Sequence, residues 1–341
     1  MIQRNVDLSQ HNSFGLPLTA SVFARVESVP ALRAALVEAR ASSLPLLILG
    51  GGSNFLFVEP QLDAFVIQPA LTGIRYHVLS DNDVLVSAGA GENWHQLVMV
   101  TLQQGLCGLE NLALIPGSVG AAPIQNIGAY GVELADRLVS VQAVEIATGN
   151  LRHFHRSELQ LGYRDSIFKR EQQGRYVITE VTLLLHRQAE LKTGYDTLAK
   201  ELAKQPDLPV TAARVADAVM AVRRARLPDP AVLGNAGSFF KNPVVSAEQA
   251  SRLQQAHPTM PVYPQPNGEV KLAAGWLIEQ AGMKGVRRGQ AGTHQHQALV
   301  LVNYGGASGA ELWALAREVQ TAVREKFAVA LEPEVWIVGG R

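Results

Sequence analysis

The sequence is poor in cysteine, long apolar runs and excess charge, and each shortage excludes something. Cys107 is the one cysteine in 341 residues, so no disulfide can form within the chain and a reducing compartment is expected. It stands between Leu106 and Gly108 with no adjacent base, and reads as a small buried hydrophobe. No apolar run approaches the roughly 18 residues needed to span a bilayer. The first residues, Met1-Ile-Gln-Arg-Asn-Val-Asp7, carry no apolar signal segment. A cytoplasmic protein without membrane insertion is the expectation. Lys+Arg and Asp+Glu balance at 30 each, leaving no global field to draw in nucleic acid or an anionic membrane. An anionic small molecule would have to be held by a local cluster. Two phosphate-binding signatures are also missing, G-x-G-x-x-G and G-x-x-x-x-G-K-[ST]. The nearest approach, Gly89 to Trp94, has Trp94 where the third glycine would stand.

What the chain has is 47% apolar residues and 30 glycines, enough for two or three domains with glycine-rich loops. Pro30 can open a helix with an apolar face of Leu32, Ala35, Leu36 and Ala39. Pro45 to Leu49 reads as a buried strand running into the first glycine cluster. Strands are expected at 64–68, 83–88, 139–146 and 175–185, with a helix over about 92–104 that stops at Gly105. The long segment 108–131 is dense in Gly, Pro, Asn and Ala, and a stretch with so little periodicity is usually functional or disordered. Its many apolar residues argue against disorder. Further on, helices are expected at 211–225 and 272–280, and a buried strand at 297–303. Ser246 with Gln249 and Ser308 with Glu311 fit capping boxes. The chain ends in a strand over 329–338 with Glu334 in its middle.

Four glycine clusters stand out: Gly50-Gly51-Gly52-Ser53-Asn54, Gly89-Ala-Gly91, Ile115-Pro116-Gly117-Ser118-Val-Gly120, and Gln125-Asn126-Ile127-Gly128-Ala129-Tyr130-Gly131. Any one could be a plain turn. Together they suggest a large phosphorylated cofactor held by backbone N–H groups of loops in a non-Rossmann fold. Arg164 offers a planar fork for carboxylate or phosphate, or an ordinary ion pair. Arg223, Arg224 and Arg226 close a helix; the first two read as a solvated helix end favoured by the dipole, Arg226 less so. The pairs His153/His155 and His294/His296 would each share a strand face. Neither has a local third ligand, so no metal site is expected. In Gly234-Asn-Ala-Gly237-Ser238-Phe-Phe-Lys241-Asn242-Pro243, one hydroxyl sits between a flexible glycine and two aromatics. It is either a turn residue or a serine presented to a reacting atom. Glu334 could face solvent; if buried in a cavity it could serve as an acid or a neutral hydrogen-bond donor.

These segments, with Asn12-Ser-Phe-Gly15, Leu49 to Asn54, Gly89 to Trp94, Gly108 to Ala113, Tyr163-Arg-Asp-Ser-Ile-Phe-Lys169, Leu227-Pro-Asp-Pro230 and Leu331-Glu-Pro-Glu-Val335, together resemble the UDP-N-acetylenolpyruvoylglucosamine reductase family, in the subclass with a tyrosine loop over the substrate. The resemblance runs through nearly the whole chain. It implies an α+β fold: a vanillyl-alcohol-oxidase-like (PCMH-type) two-lobed FAD-binding fold and a C-terminal α/β substrate domain. The implied lobes span 1–66 and 67–210, with the PCMH-type FAD domain over about 17–188. The substrate domain would span 211–328, with 329–341 returning to the flavin domain.

FAD and NADPH are the implied cofactors, a UDP-sugar the substrate, and a monomer the expected state. Gly50, Gly51, Gly52, Ser53, Asn54, Gly91, Pro116, Gly117, Ser118, Gly120, Gln125, Asn126, Ile127, Gly128, Ala129 and Gly131 are the implied flavin contacts. Ser238 matches the family's proton donor to C2 of the enolpyruvyl group. Arg164 and Glu334 match the groups that meet the charge built up when hydride reaches C3. Glu334 would help there only as the neutral acid. Tyr195, Arg226, Asn242 and Gln297 match substrate contacts. Related sequences carry lysine where this one has Arg226, and the two cations bind phosphate with different geometry.

Overall fold

The computed structural model describes residues 1–340. By its internal contacts the chain forms two compact units. The first holds Met1–Val6, Ala20–Gly51 and Asp63–Ala225; the second holds Asp7–Thr19, Gly52–Leu62 and Arg226 onward. The glycine run 50–54 is therefore divided: Gly50 and Gly51 belong to the first unit, Gly52 to Asn54 to the second.

The first unit has two sheets. One runs in the order Ile2–Asp7, Thr19–Val26, Gln61–Pro69, Leu46–Ile48, and its last pair is parallel. The Val29–Ser42 helix covers it. Ser28 caps that helix, Pro30 sits in its first turn, and the expected face of Leu32, Ala35, Leu36 and Ala39 is buried. Val22, Phe65 and Ile67 meet that face and share a core with Val144 and Val177 of the next sheet. Arg33 and Arg40 add hydrogen bonds to the carbonyls of Gly149 and Ile146.

The second sheet is antiparallel throughout, in the order Leu151–His155, Leu138–Glu145, Tyr176–His186, Asp83–Gly89, Ile74–Val78. Val177, Val181, Leu183 and Leu185 are buried, the alternation that marks a half-covered strand. The Trp94–Gln103 helix, capped by Asn93, packs its Trp94, Leu97 and Val98 into this core. The whole of 108–131 is ordered on the same core through short 3-10 turns, with Leu109, Leu112, Val119 and Ala122 as anchors. His153 and His155 do share a strand face, their rings 5.0 Å apart.

The second unit is built on an antiparallel sheet in the order Gly234–Ser238, Val300–Asn303, Ala291–Thr293, Arg287–Arg288. The Gly309–Phe327 helix lies on it, burying Leu312, Leu315, Val319 and Val323. Ser308 and Glu311 form the expected capping box. Ser246 forms half of one: it accepts the Gln249 N–H, but the Gln249 amide turns to the Ala328 carbonyl instead.

Three element expectations are corrected. The strand expected at 297–303 begins only at Val300, because 298–299 form a turn. The segment expected as a helix at 272–280 begins with the end of a strand, Val270–Leu272, and is helical over Ala274–Gln280. The final strand is Trp336–Val338 alone, parallel to Phe55–Phe57. Glu334 precedes it in a bend, since Pro333 has no N–H to offer a ladder and the Glu334 N–H is taken by the Phe239 carbonyl at 2.8 Å.

Candidate active site

In the first unit the glycine loops lean on one another. A side chain on Gly50 would reach within 2.7 Å of Ser118 Oγ, and one on Gly51 within 3.2 Å of Gly117 Cα. One on Gly120 would come 2.5 Å from the Ala90 Cβ, and one on Gly91 the same distance from Ala70. Hydrogen bonds tie the loops in series: Gly120 N–H to Ala90 O at 2.9 Å, Val119 N–H to Glu92 O at 2.9 Å, Gly91 N–H to Leu71 O at 2.8 Å, and Gln68 Nε2 to Gly50 O at 3.3 Å. Against that full use of backbone, the N–H groups of Gly50, Gly51, Gly117 and Ser118 donate to no acceptor among the described residues. Neighbouring unpartnered amides on glycine loops form a concave donor surface suited to a diphosphate.

The segment 125–131 has a different character. Asn126, fully buried with φ +45°, donates to Glu133 Oε2 at 2.7 Å and to Gly162 O at 3.0 Å, and accepts the Ala135 N–H at 2.9 Å. Its side chain is occupied in holding the loop. Ile127 is buried, and Gln125, Gly128, Ala129 and Tyr130 are half-buried around it. The Gly128 carbonyl accepts Arg164 Nη2 at 2.8 Å. Arg164 takes φ +54° and Tyr130 φ +50°, left-handed conformations that cost a residue with a side chain and concentrate at functional sites. The Arg164 guanidinium stacks 5.4 Å from the Tyr163 ring, and Lys169 Nζ holds the Arg164 carbonyl at 3.2 Å. Tyr195 is 48% exposed and meets Tyr130 edge-on at 5.4 Å. Asn111 ties the Tyr130 loop to the segment before Tyr195 by donating to both the Tyr130 and Lys192 carbonyls, at 2.9 and 2.8 Å.

Sequence reasoning missed one cation here. Arg223 is half-buried rather than a solvated helix end. Burial lowers its pKa, and it senses both Tyr130 and the like charge of Arg164. The signal was present: Arg223 stands four residues after Val219, on the buried face of Ala212–Arg226. Arg224 is exposed.

The second unit presents Ser238. It ends the Gly234–Ser238 strand, opposite Val300, after a bulge over 236–237 where Gly237 takes φ +70°. Asn235 fixes the bulge, accepting the Gly237 N–H at 2.8 Å and donating to the carbonyls of Pro228 and Leu233. Phe239 and Phe240, at 0% and 1% exposure, anchor the far side. Between these fixed points the half-buried Ser238 hydroxyl has no hydrogen-bond partner among the described residues.

Glu334 is held beside this strand by its N–H on Phe239 O, by the Phe240–Pro333 bridge, and by Asn54 Nδ2 on its own carbonyl at 3.2 Å. Gly52 takes φ +66° and abuts the His11 carbonyl, while the Ser53 carbonyl accepts Ser13 Oγ at 3.3 Å. Asn242 Oδ1 caps the Ala274–Gln280 helix by accepting the Ala274 N–H at 2.9 Å, while its Nδ2 has no acceptor among the described residues. Gln297 Oε1 lies over Gly275 in the same turn. Arg226 is exposed and makes no ion pair among the described residues. His294 and His296 fall just after the Ala291–Thr293 strand instead of on it, their rings 5.7 Å apart. No group of three metal-ligating side chains occurs among the described residues, and none of their helices is long and apolar enough to cross a membrane.

A family model described as the C-terminal domain of UDP-N-acetylenolpyruvoylglucosamine reductase matches residues 229–338, and one described as an FAD binding domain matches residues 20–155. The UDP-N-acetylenolpyruvoylglucosamine reductase of Chromobacterium violaceum is 51% identical over 336 residues, 98% of each chain. The chain belongs to the UDP-N-acetylenolpyruvoylglucosamine reductase family. The protein of that name from Paraburkholderia phytofirmans is 52% identical, across 96% of this chain and 95% of its own. The crystal structure of the Thermus caldophilus family member superposes with a TM-score of 0.68 at 26% identity, covering 99% of both chains. As a member of this family the chain is an FAD-binding oxidoreductase with an α+β fold. The unpartnered amides of Gly50, Gly51, Gly117 and Ser118 fit the diphosphate of that cofactor.

Proposed function

We propose that this enzyme reduces the enolpyruvyl double bond of UDP-N-acetylenolpyruvoylglucosamine to give UDP-N-acetylmuramate, with NADPH as reductant. The reaction belongs to peptidoglycan precursor synthesis and runs on a cytoplasmic monomer. We assign the FAD-binding lobes to 1–66 and 67–210, with 329–341 returning to the second, and the substrate domain to 211–328; the compact units divide the chain differently, with Ala225 ending the first. Bound FAD would supply the hydride chemistry that links NADPH to C3 of the substrate.

The remaining work falls to the chain's own residues. Hydride addition at C3 moves the C=C electron pair onto C2 and the attached carboxylate, so cations and neutral donors are needed there. Arg164 supplies the cation, with its side chain braced by Gly128 and Tyr163. Glu334 is the second group assigned to that developing charge. Ser238 gives its proton to C2, forming the C–H bond and regaining a proton from solvent afterwards. A serine hydroxyl is a weak acid, but a carbon enolate is a strong base, so the transfer runs downhill. General acid help of this kind contributes about 10²–10⁴-fold. Tyr195, Arg226, Asn242 and Gln297 contact the substrate, Tyr195 over its diphosphate. Asn242 Nδ2 and the unpaired Arg226 guanidinium are suited to its oxygens.

The observation that carries this reading is full-length identity of about half to reductases of that name, joined to a Ser238 hydroxyl without a hydrogen-bond partner among the described residues. The test is direct. The purified holoenzyme, given NADPH and the enolpyruvyl substrate, should consume one NADPH per UDP-N-acetylmuramate formed, read by absorbance and mass spectrometry. NADPH oxidation that leaves the substrate mass unchanged would refute it.

A further inference from the structure

His95 takes no part in the chemistry above, yet it sits against the flavin cradle. It lies in the first turn of the Trp94–Gln103 helix, half-buried. Its Nδ1 accepts the Leu114 N–H at 3.2 Å. Leu114 holds φ +57°, a conformation unfavourable for a residue with a side chain and stable only where its surroundings impose it. Little else does so locally. Ile115 reaches Leu112 O at 3.4 Å, and Pro116 has no N–H. Next come Gly117 and Ser118, whose amides have no acceptor among the described residues. The residue before His95 holds the other end of this segment, with Trp94 N–H on Gly117 O at 3.0 Å. Two consecutive residues of one helix thus fix residues 114 and 117 of the cradle loop.

We propose that His95 is a positioning residue for the flavin: its neutral ring locks the Leu114 turn and sets the Gly117 and Ser118 amides, and protonation undoes the lock. Accepting at Nδ1 requires the ring proton to sit on Nε2. A protonated ring has an N–H at both positions and would oppose the Leu114 N–H. The charged groups that act on the ring are Arg224 and Arg223 of Ala212–Arg226. Glu110, on the 3-10 turn packed against the same helix, directs its carboxylate to the Gly108 N–H at 2.6 Å. Burial first, then Arg224 and Arg223, hold the His95 pKa below the usual histidine range. With the folded pKa lowered, the contribution is fully present above the ordinary value near pH 6.5 and is lost as pH falls through the folded value. The cradle is therefore tight at neutral pH and loosens in mild acid.

The inference rests on the flavin and not on the choice of substrate, so its test uses no substrate. Holoenzyme is diluted and FAD release is followed as the gain in flavin fluorescence, from about pH 7.5 to about pH 5. His95→Leu, which removes the acceptor, should bind FAD about tenfold more weakly at pH 7.5, the worth of one hydrogen bond. His95→Gln keeps an acceptor that does not titrate. It should hold FAD nearly as well as wild type at pH 7.5 and lose less affinity in acid. Unfolding midpoints of the apoproteins separate loss of fold from loss of grip. Equal FAD affinity in His95→Leu and wild type would overturn the proposal, as would a His95→Gln profile that follows wild type down to pH 5.

Discussion

Asn126 and Ser238 are both polar residues beside glycines, and the structure gives them opposite tasks. Asn126 uses both amide protons and its oxygen within the loop. Ser238 has no hydrogen-bond partner among the described residues, though Gly237 before it is hydrogen-bonded and Phe239 and Phe240 after it are buried. A buried group satisfied three times over is structural; an unsatisfied hydroxyl in a rigid setting is available for chemistry. Asn126→Ala should therefore cost about 3 kcal/mol, since three hydrogen bonds go and an alanine must hold the left-handed turn. Urea unfolding would measure it, and a loss under about 0.5 kcal/mol would show the loop is held by other contacts. Ser238→Ala should unfold at nearly the wild-type midpoint. Sequence alone could not part the two, because each is a small polar residue near glycine. What separates them is which partners the fold brings within reach. Arg223 was misread for the same reason: a charged residue at a helix end looks solvated until its place on the buried face is counted.

At the scale of elements, the glycine loops carry the argument. Their sequence signal was four clusters without a known phosphate signature, and it pointed to a cofactor without saying how the loops would meet. The structure shows why so many glycines are needed: the loops pack backbone on backbone. Gly120→Ala would place a methyl group 2.5 Å from the Ala90 Cβ, so one loop must shift by about an ångström relative to the other. The variant should fold but lose FAD on gel filtration, with affinity down at least about tenfold; full flavin occupancy would mean that the loops have slack. Regular elements were legible where periodicity was strong, as in Val29–Ser42 and Tyr176–His186. They failed where a proline or a local turn interrupted an apolar run, as at Pro333 before the final strand and at 298–299 before Val300. Apolar content marks burial, but only hydrogen-bond partners decide where a strand begins.

For the molecule as a whole, two units with separate cores divide the labour. The first holds the amide cradle, Arg164 and Tyr195; the second holds Ser238, Glu334, Asn242 and Gln297. The α+β fold class and the FAD-binding segment were legible because their motifs are spread along nearly all of the sequence, and similarity at 51% identity over 98% of the chain establishes the family. The compact units were not legible: the chain leaves the first one three times, at Asp7, Gly52 and Arg226, and no composition shift marks those points.

The most direct measurement is a rapid-mixing comparison of wild type with Ser238→Ala in two separate half-reactions. NADPH should bleach the flavin absorbance of both proteins at similar rates. On mixing with UDP-N-acetylenolpyruvoylglucosamine, wild type should recover its colour quickly, while Ser238→Ala should recover at least about 100-fold more slowly. Recovery of Ser238→Ala at the wild-type rate would remove Ser238 as the proton donor and leave its unpartnered hydroxyl without a catalytic role.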